Sequence, residues 1–183
     1  MDAARTGRVN EPTGPSGYTG RDWPPGTVDP ESAGRSGVAG VEDPLDPSTR
    51  ELTAILGDAR TIAVVGLSND RMRDAYDVSE YLQSKGYRII PVHPDETEVL
   101  GEPAYPSLLD IPREIEVDVV DVFRRPSATP EIARQAVEIG AKVLWLQSGI
   151  INEEAARIGT EAGLDVIMGV CIRTARKRVE REA

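Results

Sequence analysis

Arginine carries a planar fork of donors that fits a phosphate bidentately, and four arginines of this chain fall in two short, turn-forming stretches. Arg71 and Arg73 follow Gly66-Leu67-Ser68-Asn69-Asp70, and Arg124-Arg125 stand between Phe123 and Pro126. In a chain of formal charge −10, two such basic pairs are a candidate anion site. The competing reading leaves them solvated at ordinary turns, or paired with Asp70, Asp74 or Asp121. Other chemistry has little to work with. His93 is the single histidine and Cys171 the single cysteine, too few soft ligands for a zinc site. His93 lies in Pro91-Val92-His93-Pro94, which two prolines stiffen. It has no acid partner in sequence, so it reads as a loop or ligand-contact residue rather than a general base. Cys171 reads as a small buried hydrophobe. No nucleophile–base pair assembles from local spacing, and no catalytic residue is assigned.

The elements that must position these residues alternate between strand and helix. Thr61 to Val65 is an apolar strand running into Gly66, and Val78, Tyr81 and Leu82 recur at helical spacing until Gly86. A helix start after Ser68 would offer free backbone N–H groups and a positive dipole end beside Arg71 and Arg73. Tyr87 to Val92 is the second strand, and Val99-Leu100-Gly101 is a short candidate edge strand. Tyr105 to Pro112 reads as one capped helical turn. Val117 to Phe123 is a strand holding Asp118 and Asp121. Thr129-Pro130 opens a helix with Ile132, Ala136 and Ile139 on its inner face. Val143 to Leu146 leads to Gln147-Ser148-Gly149-Ile150, and Asn152 caps a helix with Glu153 and Glu154 in its first turn. Leu164 to Met168 is the last strand, followed by a helix lined by Ile172, Ala175 and Val179. The basic residues of that helix, from Arg173 to Arg181, read as a solvated face.

This alternation predicts an α/β fold with right-handed crossovers and a mostly parallel, Rossmann-like doubly wound sheet of five to six strands. The expected order is the Val99 piece, then the Tyr87, Thr61, Val117, Val143 and Leu164 strands. Between the Thr61 and Val117 strands the chain reverses direction, and the crevice at such a switch point is where these sheets bind ligands. Its lips are the Gly66–Arg73 loop and Phe123-Arg124-Arg125-Pro126.

Composition bounds the rest. Residues 1–50 hold seven of the 14 prolines and eight of the 17 glycines, with no apolar period, so residues 1–46 are expected to be a disordered tail and residues 47–183 the domain. Tyr18 and Trp23-Pro24-Pro25 in that tail read as incidental aromatics, with a docking motif as the alternative. Ser48 and Glu51 have capping-box spacing before Leu52, Ile55 and Leu56. The acidic balance, with a pI near 4.7, argues against a nucleic-acid surface. No apolar run approaches the length needed to span a bilayer, and the amino terminus lacks the apolar core of a signal peptide, so a cytoplasmic protein is expected.

A dinucleotide site would show G-x-G-x-x-G after the first strand and an acid after the second. Here only Gly66 is present, and His93-Pro94 takes the place of the acid, so NAD is disfavoured. Val65-Gly66-Leu67-Ser68, Gly86 to Pro94, Gly101-Glu102, Ser107-Leu108, Asp118 to Pro126 and Trp145 to Ile150 together resemble the bacterial and archaeal coenzyme A-binding protein family. That family is related to the CoA-binding domain of the succinyl-CoA synthetase alpha subunit, and the resemblance covers about residues 48 to 180. His93 stands where the family usually has asparagine, Arg71 where it usually has proline. The resemblance implies CoA or acyl-CoA held by Gly66, Leu67, Ser68, Arg71 and Arg73, by Val92, His93 and Pro94, and by Phe123, Arg124, Arg125 and Pro126, with Gln147 and Gly149 beside them. With no nucleophile–base pair in the sequence, a binding module, sensor or carrier is expected ahead of an enzyme. Under this resemblance, a redox link between Cys171 and the CoA thiol is the alternative to a buried role. The alternative function is an NAD(P)-dependent oxidoreductase or a CoA-ligase component acting with a partner subunit; a homodimer is a further expectation of partnership.

Overall fold

The computed structural model describes residues 41–182; the expected tail, with Tyr18 and Trp23-Pro24-Pro25, lies almost wholly outside the described residues. Five strands make the central sheet: β1 (Thr61–Val65), β2 (Arg88–Val92), β5 (Val119–Val122), β6 (Val143–Leu146) and β7 (Asp165–Ile167). They are all parallel, in the order β2-β1-β5-β6-β7. The strands read as continuous apolar runs because helices cover both faces. On one face Ile62, Val64, Val119 and Trp145 pack with α1 (Thr49–Asp58), α2 (Asp74–Ser84) and α5 (Ile172–Glu182). On the other, Ala63, Val65, Val120 and Leu144 pack with α3 (Thr129–Glu138) and α4 (Glu153–Glu161). The fold is therefore the α/β Rossmann-like one the alternation predicts, with its reversal between β1 and β5. No helix among the described residues is long and apolar enough to cross a membrane.

The Val99 piece departs from expectation. It is not an edge strand of the sheet; Glu98–Val99 (β3) and Glu102–Pro103 (β4) form a separate antiparallel hairpin. A two-residue turn, with Leu100 and Gly101 both at positive φ, returns the chain too soon for a longer strand. The outer edge of β2 is met instead by Tyr105, whose N–H donates to the Pro91 carbonyl at 3.0 Å while its own carbonyl accepts from His93 N–H at 2.9 Å.

Residues 41–46, assigned to the tail by composition, make contacts with the domain. The Val41 N–H donates to Asp165 Oδ1 at 3.3 Å, Met168 N–H donates to the Pro44 carbonyl at 2.7 Å, and Glu42 N–H reaches Glu51 Oε1 at 2.7 Å. Residues 41–46 thus strap the open edge of β7. Behind them α1 starts with the capping box that its spacing predicts, Ser48 accepting from Glu51 N–H and the Glu51 carboxylate accepting from Ser48 N–H.

Candidate functional site

Gly66 is where the two lips of the switch point meet. Its φ is +99°, and a Cβ built on it would stand 2.7 Å from the Phe123 carbonyl and 3.1 Å from Arg124 Cδ. Its N–H donates to the Val92 carbonyl, and Phe123 N–H donates to the Val65 carbonyl. A side chain here would drive β1 away from the end of β5, so glycine is required both by conformation and by contact.

The Gly66–Arg73 loop differs from the expectation at its far end. α2 begins at Asp74, not after Ser68. Asp70 explains the delay, because its Oδ1 accepts from Met72 N–H at 3.0 Å and its carbonyl from Arg73 N–H at 3.1 Å. That local turn satisfies the backbone before the helix starts. Ser68 is buried within the loop, and the side chain of Leu67 is wholly in the core, so Leu67 can offer a ligand only its backbone. The next donor is already engaged: Asn69 N–H and Nδ2 bind the Glu96 carboxylate at 3.0 and 2.7 Å, which draws that carboxyl below its usual range, the Asn69 N–H being the main cause. This pair ties the first loop to the loop after β2. The first turn of α2 carries Asp74 and Asp77, which already occupy the favourable end of its dipole.

The four arginines divide into two kinds. Arg73 pairs with Asp70 at 3.3 Å, and Arg71 lies over the Tyr76 ring, 5.5 Å from its centroid. Arg73 thus has the partner of the competing reading, and Arg71 has an aromatic partner that reading did not name. Arg124 and Arg125 are exposed and make no ion pair with a carboxylate among the described residues. Their loop is held from behind, the Pro126 carbonyl accepting from Asn152 Nδ2 at 3.0 Å and from Thr129 Oγ1 at 2.8 Å. Across β2, His93 Nδ1 accepts from Asp95 N–H at 3.2 Å. His93 is therefore a loop organiser; Val92 is buried and Pro94 exposed beside it.

A cavity of about 620 Å³ opens on the α2–α5 side of these lips. Phe123, Arg124 and Gln147 line it, as does Cys171. Gly66, Ser68, Arg71, Arg73, Val92, His93, Pro94, Arg125, Pro126 and Gly149 are not in its lining. It is completed by residues that sequence reasoning left out: Asp74, Asp77 and Val78 from α2, and Arg173, Thr174 and Lys177 from α5. Arg173 forms an ion pair with Asp77 across it. The only available signal for these was the basic spacing of α5, which by itself fits any solvated helix.

Beneath the cavity lies Asp121, wholly buried. Gln147 Nε2 donates to its Oδ1 at 2.6 Å, while Oδ2 has no partner. Burial pushes this carboxyl up to about 7, against the opposing pull of the Gln147 amide. Asp118, three residues earlier, is of another kind. It accepts from the N–H groups of Arg60 and Thr61 and from Lys142 Nζ at the opposite end of the sheet, so it closes the strand starts.

Comparison with known proteins agrees with this architecture. Residues 60–177 match the family described as CoA binding domain. The chain is 44% identical over 130 residues to the uncharacterized protein YneT of Bacillus subtilis, covering 71% of this chain and 95% of that protein. It is 27% identical over 100 residues to an ADP-forming acetate–CoA ligase II of Archaeoglobus fulgidus, covering 54% of this chain but only 15% of the ligase. Among solved structures, a hypothetical protein from Pyrococcus horikoshii superposes with a TM-score of 0.70 at 40% identity, over 73% of this chain and 92% of that one.

Proposed function

The chain belongs to the CoA binding domain family, and from that premise we propose that it binds coenzyme A or an acyl-CoA at the β1–β5 switch point, as a non-catalytic module that senses or carries its ligand. The observation that carries this reading is the state of Arg124 and Arg125. They stand exposed at the end of a central strand, with no carboxylate paired to them among the described residues, and Arg124 faces the cavity. CoA bears a ribose phosphate that NAD lacks, and the site has arginines while His93-Pro94 stands directly after β2 where a ribose-binding acid would be. The phosphates lie between these arginines and the backbone of the Gly66–Arg73 loop, with Arg71 and Arg73 freed from Tyr76 and Asp70 when they contribute. His93 and Pro94 flank the ligand, and Gln147 and Gly149 meet it from β6.

Calorimetry with CoA, dephospho-CoA and NAD tests this. Tightest binding of CoA is expected, with dephospho-CoA weaker by about tenfold or more, the worth of one charge-assisted contact. Equal affinity for CoA and dephospho-CoA removes the phosphate-reading role, and tighter NAD binding overturns the choice of ligand.

The likeness to the ADP-forming ligase, of which this chain spans 15%, favours one second reading: a CoA-binding component that works with a partner subunit. A nucleotide-dependent acyl-CoA synthesis that appears only when a co-purifying chain is restored supports it. CoA bound by the chain alone, with no such activity in any fraction, leaves the module reading.

A further inference from the structure

Gln147 has one amide oxygen and one amide nitrogen, and Asp121 decides which of them the cavity sees. An ionised carboxylate only accepts hydrogen bonds, so Gln147 must turn Nε2 toward Asp121, as the 2.6 Å contact shows. No hydrogen bond reaches Gln147 Oε1 among the described residues, and Gln147 lines the cavity. We propose that Asp121 is a positioning residue of the ligand site: it holds the Gln147 amide with Oε1 toward the cavity, as acceptor for an N–H group of the amide-bearing arm that joins the phosphates of CoA to its thiol. This rests on the reading of the site as a CoA site.

The register places Asp121 between Val64 of β1 and Trp145 of β6, both apolar. Among the described residues, no charged side chain pairs with it. The charged and titratable groups around the cavity above it are Asp74 and Asp77 on α2, Arg124 after β5, and Cys171, Arg173 and Lys177 at the start of α5. Once protonated, Asp121 can donate, and its hold on Nε2 weakens. The amide is then free to turn over and present Nε2 instead, which repels an N–H donor. With the carboxyl at about 7, this change falls within an accessible pH range.

The test compares CoA with its bisphosphorylated adenosine portion, which lacks the arm, by calorimetry at about pH 6 and about pH 8. Native protein is expected to lose several-fold more affinity for CoA than for the fragment on going to the lower pH. In Asp121→Asn the two ligands are expected to change in parallel. Gln147→Leu should weaken CoA several-fold and leave the fragment unchanged. Identical CoA profiles for native and Asp121→Asn overturn the proposal, as does native CoA affinity in Gln147→Leu. If neither CoA nor the fragment binds, the CoA reading itself fails. The pair is then read in the free native protein by NMR, where the Gln147 side-chain amide resonances must shift as the Asp121 carboxyl titrates; resonances that stay fixed overturn the proposal.

Discussion

A carboxyl group with zero exposure, flanked by Val64 and Trp145 in the sheet register, is costly to ionise, and Asp121 is such a group. Its native value, raised from 3.8 to about 7, makes the folded state hold a proton that the unfolded chain releases earlier. Stability should therefore be highest below about pH 4, fall as pH rises toward 7, and stay level above it so far as this group governs it. Asp121→Asn keeps an acceptor for Gln147 and abolishes the charge. It should be more stable than the native protein at about pH 8, by at most on the order of 4 kcal/mol, with the gain vanishing below about pH 4; urea melts across that range will show it or its absence. Gly66→Ala runs the other way. Positive φ costs a side chain about 1–2 kcal/mol, and the approach to the Phe123 carbonyl adds overpacking of about 1–3 kcal/mol. A loss of about 2–5 kcal/mol in denaturant unfolding is expected, with weaker ligand binding because the lips part. At this scale the sequence was legible where a residue type has one main use. Gly66 at a strand end and the Arg124-Arg125 pair could be singled out. The partnering of Arg73 with Asp70, and the seat of Asp121 under Gln147, depend on distances that no spacing encodes.

Elements show the same division for a different reason. Helix α4 was legible from Asn152, whose side chain accepts from Ala155 N–H as a cap should. The start of α2 was not, because Ser68, Asn69 and Asp70 are all cap formers and the competition among them is settled by the loop that Glu96 ties down. The β3–β4 hairpin is not legible because Val99 is apolar enough for an edge strand of the sheet, and only the turn after it returns the chain into a separate hairpin. One element contact was invisible in sequence and is open to test. Gly159 lets α4 lie close on β7: a Cβ there would stand 2.8 Å from Val166 Cγ2, on a side chain 1% exposed. Alanine gains about 1 kcal/mol of helix propensity over glycine, but overpacking costs about 1–3 kcal/mol. Gly159→Ala should therefore be neutral to destabilising by about 2 kcal/mol in thermal or chemical melts, and a stabilised variant would mean that Val166 can yield.

For the molecule as a whole, alternation of strand and helix sufficed to foresee the sheet order and the switch point. These follow from handedness and short connections rather than from side-chain detail. The join between the leading segment and the domain did not, since residues 41–46 are as polar and proline-bearing as what precedes them. We expect removal of residues 1–40 to leave the melting temperature unchanged. Removal of residues 1–46 should lower it by several degrees, because the bonds of residues 41–46 to the Asp165 and Glu51 carboxylates and to Met168 N–H are each worth about 1 kcal/mol. It should also promote self-association through the uncovered strand edge. Scanning calorimetry and light scattering of the two truncations decide the matter; identical behaviour would mean that the strap contributes nothing. The strap also has a consequence in time. Its partner Asp165 lies 124 residues further along the chain, and the Pro47 carbonyl meets Arg178 across 131 residues. During synthesis from the amino end, residues 41–47 emerge long before Asp165, Met168 and Arg178, which receive them. They must stay undocked from these partners until β7 and α5 appear, so the start of the described domain is seated by its last elements.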